Sequence, residues 1–259
     1  GNCEWCECIA ESSIIYQSEG PYSLYIESYP AVQEGLISHM FYVNMEDATD
    51  RMSAVFGNNL LPLEILTPAG AFNSAFNAGW SASGINASFI SVFPDLADDT
   101  YATIGLDAAA STSEIADAAD PSLVEDADQP ISPFFQTNGA TSLLSNTLTG
   151  SSWYVLNTAG NGLPDAEMRV LIAKVTTSGE ISGTMNYQVF PFGSGENSIL
   201  VTVDFNLSGQ PFEGCTDNSA VNYCSNAELD DGSCIYDYIG CTDQTACNFV
   251  EIATYDDGS

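Results

Sequence analysis

Gly-Cys-Thr-Asp begins at Gly214 and again at Gly240, and Asp-Asp-Gly-Ser begins at Asp230 and again at Asp256, so both ends of one unit recur 26 residues apart. A unit of that size holds too few apolar side chains for a core of its own, and needs cross-links, a metal or neighbouring copies to hold a shape. The period therefore fixes the end of the chain as small stacked modules. The chain also opens Gly1-Asn2-Cys3, which reads like Gly232-Ser233-Cys234, and stops at Ser259, where the period next demands a cysteine. The expectation is an excerpt from a longer modular array, of the kind that builds scaffolds.

The cysteines follow the same division. Cys3, Cys6 and Cys8 lie at one end and Cys215, Cys224, Cys234, Cys241 and Cys247 at the other, with none between. Such clustering reads as disulfide stapling of small modules in an oxidising compartment. Zinc is the competing reading for Cys3-x2-Cys6, but the second cluster has no such pair and His39 is the single histidine. Each cluster is odd in number, as it would be if an array were cut within a unit.

Charge narrows the partners. Thirty-five Asp and Glu face three Lys and Arg, a formal net charge of −32. Nucleic acid needs basic clusters, and Arg51, Arg169 and Lys174 form none. The same shortage argues against anionic membrane surfaces, and no apolar run is long enough to insert in a membrane. Saline surroundings or bound divalent cations would relieve the self-repulsion.

Between the cysteine clusters the signals are those of a β domain, here bounded at residues 9–212, with residues 1–8 as the end of a preceding repeat. Ile181–Phe190 and Val201–Leu207 alternate apolar and polar side chains, the period of a half-buried strand. Thr177-Ser178-Gly179-Glu180 reads as a hairpin turn joining Met168–Thr176 to Ile181–Phe190. Ser23–Glu27, Ile37–Asn44, Ser53–Phe56, Leu63–Leu66, Tyr101–Leu106 and Ser152–Leu156 complete about nine strands. They predict an antiparallel β-sandwich or jelly roll, followed by disulfide-bonded repeats at 213–239 and 240–259. Asn86–Val92 is a candidate short helix and Ala108–Gln129 a long surface loop.

Within the repeats, Asp217, Asp230 and Asp231 and their counterparts Asp243, Asp256 and Asp257 gather hard oxygen ligands round a glycine turn, which suits calcium. A solvated turn with local hydrogen bonds is the alternative. Asp95, Asp98 and Asp99 form a similar cluster in the large domain. The pattern Gly-Cys-Thr-Asp-x-x-Ala-x-Asn-Tyr/Phe to Asp-Asp-Gly-Ser-Cys resembles the short cysteine-rich repeats of very large secreted surface proteins from marine gliding bacteria. It is also similar to thrombospondin type 3 repeats, without their regular Asp-x-Asp-x-Asp ladder. Tyr101–Leu106 and Ser152–Leu156 look like parts of modules that accompany such repeats. The resemblance implies secretion to the cell surface, adhesion or filament building, and calcium.

Catalytic signatures are thin. His39 lies in an apolar strand pattern, Gly79–Gly84 does not match Gly-x-Ser-x-Gly, and no glycine-rich phosphate loop appears. Paired carboxylates remain as one route to glycoside hydrolysis. Trp80 and Trp153 are the candidates for stacking on sugars, with a packed sandwich tryptophan as the alternative for each. The expectation is a non-enzymatic extracellular module that self-associates into a multi-chain assembly. A module binding cell-surface glycans is second, and a secreted hydrolase third.

Overall fold

In a computed structural model, residues 15–208, 213–223, 227, 229–230, 232–241, 247–248 and 255–256 are described. They divide into two compact units, one within Ile14–Gln210 and one within Pro211–Ser259. The first is mainly β. Its strands are β1 (Ile15–Gln17), β2 (Leu24–Pro30), β3 (Ile37–Asn44), β4 (Arg51–Gly57), β5 (Leu63–Ala71), β6 (Tyr101–Ala102), β7 (Ser122–Val124), β8 (Ala140–Ser145), β9 (Ser151–Tyr154), β10 (Arg169–Thr177), β11 (Ser182–Phe190) and β12 (Ile199–Asn206).

These strands pair antiparallel in two layers. One layer runs β1-β2-β3-β10, with β6 beside β10; in the other, β11 lies between β12 and the strands β4 and β5, which continue to β9-β7 and β8. Strand β5 belongs to both, because Leu63–Leu66 pairs with β8 while Ala71 reaches Thr177 of β10. The bend falls at Pro68 and at Gly70, whose φ is +94° and on which a Cβ would lie 2.9 Å from the Gly139 Cα. Folding the sheet over itself makes one core, in which Leu24, Ile26, Phe41 and Val43 meet Met185, Tyr187, Val189 and Trp153.

The β-sandwich expectation holds, and four local readings change. Thr177–Glu180 is not a hairpin turn: β10 pairs with β3, β5 and β6, and β11 with β4, β5 and β12, so this segment carries the chain from one layer to the other. Turn composition specifies that the chain reverses, not which neighbour it then pairs with. The 108–129 segment contains β7, which adds to β9. Asn186, on the predicted solvent face, is buried, because its amide donates to the Leu61 and Pro62 carbonyls. The expected helix shortens to α1 (Ala87–Ile90), capped where the Asn86 side chain accepts from the Ser88 N–H.

Residues Phe72–Thr100 form a cover over the outer face of β3 and β10. Ala82, Ile85 and Leu96 of the cover pack on Leu171, Met40 and Tyr42, making a second, smaller core. Covered on one face by the sandwich interior and on the other by this segment, β10 is buried along almost its whole length.

In the second unit, β13 (Glu213–Gly214) pairs parallel with β14 (Leu229–Asp230), and β15 (Ile239–Gly240) pairs parallel with β16 (Tyr255–Asp256). Each residue of the second ladder stands 26 positions after its counterpart in the first, so the sequence period is also a structural one. Cys215 and Cys234 form a disulfide that closes the first repeat. Asn222 braces it, accepting from the Ile235 N–H and donating to the Ser233 carbonyl.

Candidate functional site

A cleft of about 820 Å3 opens on the outer face of β3 and β10, between the cover and the segments 105–115 and 160–165. Its floor carries Tyr42 and Leu171 from adjacent strands, and Asp107 and Asp165 lie on its rim. Arg169 is the cation of the site. Its guanidinium sits 4.3 Å above the Tyr42 ring and 5.5 Å from that of Tyr25, while Nη1 lies 3.3 Å from Glu27 Oε2. Its Nε lies 3.6 Å from Asp165 Oδ2, too far for a hydrogen bond, and has no other partner among the described residues. Burial pushes the Tyr42 hydroxyl up to about 12, so it remains a neutral donor. Gly105 permits the wall to turn at φ +62° where a Cβ would meet the Asn161 carbonyl at 1.9 Å. Asn161 ties that wall down, donating to Ile104 and Ala119 carbonyls and accepting from the Ala119 N–H.

Chemically the cleft offers an apolar and aromatic floor, one guanidinium shared between carboxylates, and exposed acceptors. It suits an uncharged or cationic polar ligand more than an anion. Neither Tyr42, Arg169 nor Asp107 was singled out by sequence reasoning for this site. The available signal was scarcity, since each cation among 35 acids has a specific partner to find: Arg51 donates to the Ala159 carbonyl, and Lys174 to that of Ala97.

Of the candidate calcium ligands Asp95, Asp98 and Asp99, Asp98 anchors the cover and the other two brace it from within. Asp98 accepts from the Val32 and Gln33 N–H groups at 2.8 Å each, fixing the cover to the β2–β3 turn. Asp99, fully buried, accepts from the Ser74 N–H and the Asn77 amide, and Asp95 accepts from the Ser74 hydroxyl. Lys174 is 5% exposed, and burial lowers its ammonium to about 8 against the attraction of Asp98 and Asp99. Both oxygens of Asp98 are engaged by backbone donors and both of Asp99 by a backbone and an amide donor, while Asp95 has the Ser74 hydroxyl. Among the described residues no group of three His, Cys, Asp or Glu is placed to hold a metal.

In the first repeat, Asp217 accepts from Ser219 through Oδ1 and from the Tyr236 hydroxyl through Oδ2, and the Ser219 bonds hold its carboxyl below the usual range. Asp230 accepts from the Gly232 N–H, with Gly232 at φ +76°, which is the solvated-turn geometry. Asp256 is described only as backbone in β16. Cys241 is buried and Cys247 exposed, both as thiols. Asp231, Asp243, Asp257, Cys3, Cys6, Cys8 and Cys224 lie outside the described residues, as does the 1–8 segment.

Trp153 is corrected from a sugar platform to a core residue. It is fully buried, its indole N–H donates to the Thr103 and Ile172 carbonyls, and Phe135 packs edge-on against it. Truncation there would open a cavity costing about 3–5 kcal/mol rather than remove a ligand contact. Trp80 is half-buried in the cover and packed against the sandwich core. His39 pairs with Ser28 at 2.7 Å, a nucleophile–base distance, but the serine is fully buried and the imidazole 4% exposed, so no substrate reaches the pair.

No helix among the described residues is long and apolar enough to cross a membrane. No family model, curated protein or solved structure matches the chain.

Proposed function

We propose that this chain is a structural and adhesive module of a secreted repeat protein, in which a β-sandwich is joined to disulfide-bonded spacers within a multi-chain filament or surface fibre. The observation that carries the reading is the 26-residue recurrence of the parallel ladder, the first copy closed by Cys215–Cys234. A unit that reproduces backbone pairing at fixed intervals sets spacing, which is what a fibre needs from a repeat. Calcium belongs to this reading as a bridge between acidic surfaces. Cryo-EM and light scattering of the chain in buffer of seawater ionic strength should find periodic or multi-chain particles. Isolated monomers at every concentration would overturn it.

A glycan-binding adhesin is the second reading, and the cleft over Tyr42 and Leu171 is what favours it. Selective sugar binding on a glycan array, lost in Asp107→Ala, would put this reading first.

A further inference from the structure

The cover that Asp98, Asp99 and Lys174 anchor presents an aromatic group to solvent. Phe76 and Phe93 stack with centroids 3.8 Å apart, and Phe89 meets Phe93 edge-on at 6.4 Å. Phe76, Phe89 and neighbouring Val92 are 48%, 52% and 65% exposed. Adjoining exposed aromatic and branched apolar side chains mark interaction surfaces more often than scattered single ones do. The run that carries them, Ile65–Pro94, contains no charged residue; of the acids that follow it, Asp98 and Asp99 are buried and Asp95 is half-buried against Ser74.

Resting on the multi-chain reading above, we infer that this Phe76–Phe89–Val92–Phe93 surface is where a second copy of the same chain docks. Electrostatics selects that occupant. Each copy carries −32, so any approach that brings acidic surfaces together is opposed, and opposite-charge pairing between copies has only three cations to draw on. An uncharged aromatic face is the place where two such bodies meet without desolvating carboxylates. The edge of β12, unpaired among the described residues, is a poorer choice, for although Ile199 and Leu200 are exposed there, Asp204 lies on the same strand. A stable interface buries about 800 Å2 on each side, and three exposed side chains supply a fraction of that, so a single contact is weak and gains strength when repeated along a fibre.

Sedimentation velocity of the whole chain over a concentration series at 0.05, 0.15 and 0.5 M NaCl tests this. Self-association should strengthen as salt screens the repulsion. Phe89→Ser with Val92→Ser, both at exposed positions, should weaken it at least about tenfold at unchanged melting temperature. Val92→Glu should weaken it most at the lowest salt while melting at the wild-type temperature at each salt concentration, which separates lost docking from a folding defect. A double variant that associates as well as the wild type overturns the docking surface and leaves the multi-chain reading standing. A wild type monomeric throughout overturns both, and association that weakens with added salt overturns the electrostatic argument in favour of charged contacts.

Discussion

His39 and Asp99 show how burial gives opposite pH signatures to two residues of one sandwich. Burial pushes the His39 imidazole down to about 4, so between about 6.5 and 4 the unfolded chain binds the extra proton first. His39 therefore withdraws stability as pH falls through that window, about 3 kcal/mol in all. Burial raises the Asp99 carboxyl to about 7 despite its bonds from Asn77 and Ser74, so there the folded chain takes the proton first and stability grows as pH falls from about 7 toward 3.8. Urea unfolding between pH 7.5 and 4.5 should show His39→Leu losing less stability on acidification than the wild type, and Asp99→Asn losing more. Profiles parallel to the wild type would remove both assignments. Neither environment was legible in the sequence. The apolar neighbours of His39 place it on a strand, but its Ser28 partner is fixed by cross-strand register. Asp99 reads as a candidate ligand until the fold brings Ser74 and Asn77 to it from about 25 residues away.

Among the elements, alternation identified β11 and β12 because one face of each meets the core, and the repeat motif identified the ladders because the period itself is structural. Sequence reasoning failed where pairing is non-local. β10 and β11 adjoin in the chain yet lie in different layers, and β7 is three residues in an acidic segment whose strand character comes from β9. The first repeat gives a direct test of what holds an element too small for a core. The Cys215–Cys234 bridge links residues 19 apart in sequence, worth about 3 kcal/mol through the entropy of the opened chain. In Cys215→Ser/Cys234→Ser, hydrogen exchange at the Val221 amide, bonded to the Ile235 carbonyl, should accelerate by about two orders of magnitude. Unchanged protection would assign the repeat's order to Asn222 and Asp217 instead.

For the molecule as a whole, 35 acids against three Lys and Arg call for an explanation, and within the sandwich much of it lies in backbone donors. Asp50 accepts from the N–H groups of Glu46, Asp47 and Phe192, Glu125 from those of Ile131 and Ser132, and Asp98 from Val32 and Gln33, so carboxylates organise loops that cations elsewhere would brace. The charge left at the surface should still respond to screening, whose range shrinks from about 10 Å at 0.1 M salt to 3 Å at 1 M. The melting temperature should rise with NaCl and rise further with millimolar CaCl2 at matched ionic strength. Equal rises would remove calcium from the proposed function. By itself the sequence determined the β class, the two-part organisation, and the repeat and its period, because alternation, composition and periodicity are properties of neighbouring residues. Only the tertiary structure decided which strands share a layer, which donors Asp98 and Asp99 meet, that Trp153 is core, and where the cleft and aromatic face lie. Each of those depends on contacts between residues far apart in the chain, and local pattern carries no record of them.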